Sequence, residues 1–122
     1  MTGIDELKGV NQILIDFIYK LDYELAKSIL NPDSVEITIA EGLRSIERQK
    51  ELFKQGKSKT LKSKHLTGDA IDIYPIKNNK IDWEFYPTLM KIAKETAIKY
   101  NFSLNFGIDF KSFKDSPHIE IK

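Results

Sequence analysis

Three short stretches of this chain alternate apolar and polar residues with a period of two, and longer stretches of helical periodicity separate them. In residues 35–40, Val35, Ile37 and Ile39 alternate with Glu36, Thr38 and Ala40, the pattern of a strand with one buried face. Residues 70–74, closed by Pro75, and residues 117–121 repeat it, with Ile71 and Ile73 in one and Ile119 and Ile121 in the other. Ahead of them, Ile13, Phe17, Leu21 and Leu25, with Leu14, Ile18 and Ala26 alongside, predict a helix over residues 10–30 that stops at Asn31-Pro32-Asp33. After Gly42 breaks the first strand, Ser45 is a good N-cap for a short helix with Glu47 in its first turn, ending near Gly56. Phe85, Leu89, Ile92, Ala93 and Thr96 mark one face of a third helix over residues 84–100, with Pro87 tolerable in its first turn. Asn78-Asn79 and the region of Gly107 read as turns. Strands this few and short fit a small antiparallel sheet flanked by helices, an α+β fold, better than a parallel α/β alternation.

A chain of 122 residues with 41% hydrophobic content can bury about two-thirds of its unfolded surface, enough for one core without staples. We therefore expect residues 1–122 to form a single domain. There is no cysteine, so a cysteine-rich zinc site is excluded and any metal must be held by His, Asp, Glu or water. The net charge of +1, from 19 basic and 18 acidic residues, gives no global pull toward nucleic acid. Lys54, Lys57, Lys59, Lys62 and Lys64 nevertheless crowd one polar stretch, either as a solvated loop or as an attraction to an anionic polymer. The first residues lack the basic and apolar regions of a signal peptide, and no apolar run approaches a membrane span.

The chemistry concentrates around the two histidines. His65 lies in Ser63-Lys64-His65-Leu66-Thr67-Gly68-Asp69-Ala70-Ile71-Asp72, and His118 in Asp115-Ser116-Pro117-His118-Ile119-Glu120-Ile121. Since Ile71 and Ile73 point to the core, Asp72 projects from the other side of its strand, and His118 and Glu120 likewise oppose Ile119 and Ile121. If these strands pair, Asp72 and His118 stand together on one polar sheet face, and His65 reaches them from the loop. Spacing alone does not choose between a three-ligand zinc site and two hydrogen-bonded core histidines. Asp69 is a rival ligand to Asp72. It would need a helical i, i+4 relation to His65, which Gly68 disfavours, so Asp72 is preferred. Asp115 is either a turn residue or a base beside a metal-activated water; Glu120 could be that base or the acceptor that holds His118, and it is assigned to holding His118. Arg44 offers a guanidinium to a substrate carboxylate or an oxyanion, or else makes a surface ion pair. Gln49 shares a helix face with Ile46 and Phe53, so its amide should brace the site or the loop after it. Ser63 orients His65 or substrate, or serves the turn.

Together, Gly42-Leu43-Arg44-Ser45 with Arg48-Gln49, Ser63-x-His65-x-x-Gly68-x-Ala70-x-Asp72 and Asp115-x-Pro117-His118-x-Glu120 resemble the zinc peptidases of the D-Ala-D-Ala carboxypeptidase group. Within that group they are most similar to the bacteriophage endolysins that are L-alanyl-D-glutamate peptidases. The resemblance runs from about Val35 to Lys122, and the first helix fits that branch too. It implies a small α+β domain with one zinc ion on the sheet face, bound by His65, Asp72 and His118, with Asp115 as general base and Arg44 on substrate or the tetrahedral intermediate. The implied partner is the stem peptide of peptidoglycan, cut between L-alanine and D-glutamate by a monomer. The enzyme would be made in the host cytoplasm and released to the wall by a separate holin-like protein. One departure is visible: where the branch has a stretch rich in tryptophan and glycine, this chain has Asn105-Phe106-Gly107-Ile108-Asp109-Phe110, which keeps the aromatic character of a platform beside the cleft. The alternatives are a D,D-carboxypeptidase acting on terminal D-alanine and a non-catalytic, metal-stabilised wall-binding module.

Overall fold

The structure, a computed structural model, describes residues 1–58, 60–110 and 117–122. Helix α1 (Gln12–Lys27) begins at Asn11, whose side chain accepts the backbone N–H of Ile13 at 2.9 Å, satisfying one of the donors a helix start leaves open. It buries Leu14, Phe17, Ile18, Leu21 and Leu25, three or four residues apart along one side of the helix. Ile13 and Ala26, expected on that stripe, are exposed, because they fall on its outer edges. The helix ends where Asn31 turns the chain: its buried amide donates to the carbonyls of Leu25 and Val35 and accepts the Val35 N–H.

The sheet is built on β2 (Ala70–Lys77), flanked by β1 (Glu36–Glu41) on one side and β5 (His118–Ile121) on the other, with β4 (Leu104–Phe106) beyond β5. All these pairings are antiparallel, as expected. The short β3 (Lys80–Ile81) folds back on β2 through Asn78 and Asn79, both at positive φ, the backbone of a two-residue hairpin turn. β2 does not stop at Pro75 as the sequence suggests. The partner of Pro75 across the ladder, Ile37, gives its carbonyl to the Thr2 N–H, so β1 asks for no donor from the proline nitrogen. β3 and β4, of two and three residues, are too short to show alternation and were not expected.

One sheet face carries Ile37, Ile39, Ile71, Ile73 and Ile119 against α1 and α3 (Tyr86–Lys99), whose Leu89, Met90, Ile92 and Ala93 complete a continuous core. Burial of Phe17, Leu21 and the five isoleucines, at about 1.5–3 kcal/mol each, fixes which way the sheet faces. The opposite face is left to Asp72, Tyr74, His118 and Glu120. Over it runs the segment holding α2 (Ile46–Lys54) and a single 3-10 turn, Lys64–Thr67. Among the described residues no helix is long and apolar enough to cross a membrane.

Candidate metal centre and catalytic cleft

Register places the site. Asp72 and His118 are direct cross-strand partners in the β2–β5 ladder, so their side chains leave the sheet side by side on its polar face. His65 arrives from the 3-10 turn. Ser63 caps that turn by accepting the His65 N–H, and Gly68 closes it at φ +76°. As expected, no helix carries His65 to Asp69: Gly68 ends a single 3-10 turn in the left-handed conformation that suits glycine. A side chain there would meet the Gly9 carbonyl at 2.3 Å, and the Gly68 carbonyl accepts the Asn11 N–H at 2.8 Å. The turn bearing His65 is thereby docked on the start of α1. Asp69, the rival ligand, is turned away and accepts from Asn11 and Thr67.

Three potential ligand atoms converge. His65 Nε2 lies 3.2 Å from Asp72 Oδ1 and 3.2 Å from His118 Nδ1, and His118 Nδ1 lies 3.4 Å from Asp72 Oδ1. The outward nitrogens are already committed: His65 Nδ1 donates to the Gly42 carbonyl at 2.8 Å, and His118 Nε2 donates to Glu120 Oε1 at 2.8 Å. A carbonyl and a carboxylate can only accept, so each neutral ring carries its proton outside and aims a lone pair inward. Two lone pairs and a carboxylate oxygen within hydrogen-bond range repel one another unless a cation sits among them. Ligands about 2.0–2.1 Å from a tetrahedral zinc stand roughly 3.3–3.4 Å apart, which the triangle matches. The donor set therefore fits zinc, with ring orientation fixed by outer partners as metal-ligating histidines require. Burial alone would raise the Asp72 carboxyl; with no cation in the triangle, a further proton on the inward nitrogen of His118 or His65 would hydrogen-bond to it and hold it well below the usual carboxylate range.

Beside this triad opens a cleft of about 500 Å³. Arg44 reaches it with its side chain 8% exposed, so it is no surface pair. Its Nε donates to Glu41 at 2.5 Å and its Nη1 to Gln49 Oε1 at 2.7 Å. Glu41 owes its position to an irregularity: alternation from Ile37 and Ile39 would aim it at the core, but the register shifts between Ile39 and Glu41 and sets Glu41 opposite Asp72 on the cleft face. Gln49, 1% exposed, also donates to Ser58 Oγ at 2.9 Å and to the Thr60 carbonyl at 2.6 Å. It braces the following loop, but its helix companion in burial is Leu52, while Ile46 and Phe53 are exposed. Glu120 holds His118 and also meets Lys64 at 3.3 Å.

Of the phenylalanines expected as a platform, Phe110 lies against His118 with ring centroids 5.8 Å apart, whereas Phe106 is buried against Phe17. Asp115 lies outside the described residues. The sequence reading did not pick out Glu41, whose parity pointed to the core, or Tyr74, which lines the cleft and meets Trp83 edge-on. Tyr74 shares the parity of Asp72, the signal that could have found it.

Comparison with known proteins agrees with this geometry. A family profile described as phage L-alanyl-D-glutamate peptidase matches residues 4–122. The L-alanyl-D-glutamate peptidase of Escherichia phage T5 is 33% identical over 105 residues, covering 81% of this chain and 76% of that protein. The peptidoglycan L-alanyl-D-glutamate endopeptidase CwlK of Bacillus subtilis is 30% identical, covering 85% of this chain and 71% of its own length. Among solved structures, the Serratia marcescens L-Ala D-Glu endopeptidase ChiX superposes with a TM-score of 0.81 at 27% identity, covering 100% of this chain and 90% of that one. This chain belongs to the phage L-alanyl-D-glutamate peptidase family.

Proposed function

We propose that the chain is a zinc-dependent peptidoglycan endopeptidase that hydrolyses the amide between L-alanine and D-glutamate in the stem peptide, in the manner of a phage endolysin. On this reading it works as a monomer with one zinc, is made in the host cytoplasm, reaches the wall through a separate holin-like protein, and causes lysis there. The observation that carries it is the triad whose outward nitrogens are spent on Gly42 and Glu120 while three electron-rich atoms face inward. Family membership and the likeness to ChiX support the choice of bond.

His65, Asp72 and His118 would hold the ion. Zinc in such a site supplies Lewis acidity, enough to bring a water's pKa to about 7. Arg44, clamped by Glu41 and Gln49, lines the cleft, where its remaining N–H groups would favour the charge that develops on the scissile carbonyl oxygen. Asp115 is assigned to take the proton of the attacking water and return it to the leaving nitrogen of D-glutamate. Phe110 and Tyr74 wall the cleft beside the triad, limiting access of bulk water.

Purified peptidoglycan digested by the protein, with muropeptides read by mass spectrometry, tests this. We expect muramic acid retaining L-alanine, peptides beginning with D-glutamate, loss of both under a chelator and recovery with zinc. Asp115→Ala should keep fold and metal content but lose turnover; undiminished activity would remove it from the mechanism. Release of free D-alanine alone would indicate a D,D-carboxypeptidase, and absence of any turnover a binding module.

A further inference from the structure

We infer that Lys57 and Lys62 recognise the free carboxylate of the D-glutamate residue, making the cleft selective for glutamate over its amide. The inference rests on the function proposed above. It follows from how the charges lining the cleft are matched. Arg44 is paired with Glu41 at 2.5 Å, Lys64 with Glu120 at 3.3 Å, and Asp72 faces the two histidines. Lys57 and Lys62 line the same cleft, and among the described residues neither has a carboxylate partner. Two ammonium groups with no carboxylate partner among the described residues give the cleft a positive potential that favours an anionic ligand.

Their placement is built into the chain. The Lys57 N–H donates to the Leu52 carbonyl at 2.9 Å, so Lys57 is fixed to the end of α2. The Lys62 N–H donates to Thr60 Oγ1 at 2.9 Å, and the Thr60 carbonyl is in turn held by the buried amide of Gln49. The amide that clamps Arg44 therefore also sets the backbone from which Lys62 projects.

The substrate supplies the matching charge. Glutamate carries two carboxyl groups; whichever continues the peptide, the other remains an anion within a few bonds of the scissile nitrogen. Arg44 is paired with Glu41, so among the described residues lining the cleft Lys57 and Lys62 are the cations left to meet it. A glutamate whose free carboxyl is amidated has nearly the same shape without the charge, which makes it the natural control.

The test crosses enzyme with substrate. Two soluble acylated peptides are compared, one with L-alanyl-D-glutamate bearing the free carboxylate and one with that group amidated. Wild type and the Lys57→Met/Lys62→Met variant are assayed on both, with thermal melting to verify the fold. Wild type should favour the carboxylate about tenfold in kcat/KM, expressed mainly in KM because such a contact binds ground and transition states alike. The preference should shrink as salt rises and fall toward one in the variant. A variant that keeps the wild-type preference, or a wild type with none, would overturn the inference. So would a defect confined to insoluble wall, which would assign the lysines to an anionic envelope polymer. Failure of wild type to cut the alanyl-glutamate bond in either peptide would instead refute the parent function, and this inference with it.

Discussion

Replacing Gln49 with leucine removes three hydrogen bonds from a side chain that is 1% exposed. The two neutral bonds, to Ser58 and Thr60, are worth about 1 kcal/mol each, and the bond from the Arg44 guanidinium about 1.5–3. Ser58 and Thr60 lie near solvent and can regain water, and leucine adds some apolar burial, so the net loss should be about 2 kcal/mol. For a domain of this size that corresponds to roughly 7 °C in Tm, measurable by circular dichroism. The catalytic effect should be larger in proportion. Arg44 keeps Glu41 but loses its second anchor, and small displacements of a charged group are costly in the transition state, so kcat should fall about tenfold or more while KM moves less. Gln49→Glu separates the two roles, since the carboxylate still accepts from Arg44 but cannot donate to the loop; it should recover more of kcat than of Tm. A leucine variant melting within about 1 °C of wild type with kcat within about twofold would refute the account of Gln49 as the tie between guanidinium and loop.

Two further outcomes follow from neighbouring features. Glu120→Gln weakens the acceptor that holds the His118 ring, and zinc affinity measured by chelator competition should drop about tenfold or more; unchanged affinity would show that the ring is oriented by other means. Gly68→Ala imposes a methyl group at φ +76° against the Gly9 carbonyl. The left-handed strain alone costs about 1–2 kcal/mol, and the collision with backbone adds to it, so Tm should fall by roughly 10 °C; a melt matching wild type would count against the docking of the His65 turn on α1.

Much of this site was legible because period two and residue identity coincide. Ile71, Ile73 and Ile119 had to face the core, which left Asp72 and His118 on the same outer side, and their pairing needed only that β2 and β5 be neighbours. Other features lie beyond local pattern. α2 exposes Ile46 and Phe53 and buries Gln49 because a polar amide, not an apolar stripe, meets the neighbouring loop, and only tertiary contacts reveal that. Pro75 reads as a strand end unless it is known that Ile37, its partner, gives its carbonyl to Thr2. Gly68 reads as a helix breaker although it caps a single turn. The two- and three-residue strands β3 and β4 exist through their partners. The role of Asp115 rests on the family resemblance, since it lies outside the described residues.

The register shift before Glu41 has a consequence for how this strand divides its labour. A regular strand has one parity along its whole length: with Ile37 and Ile39 inward, the residue at position 41 would be inward as well, and a carboxylate there would be desolvated among isoleucines at a cost of several kcal/mol. Stepping the ladder by one residue lets the first half of β1 obey the demands of packing and its end obey those of chemistry. The two halves can then change independently. Apolar substitutions upstream repack the core without re-aiming Glu41, and the partner of Arg44 can vary without disturbing the core.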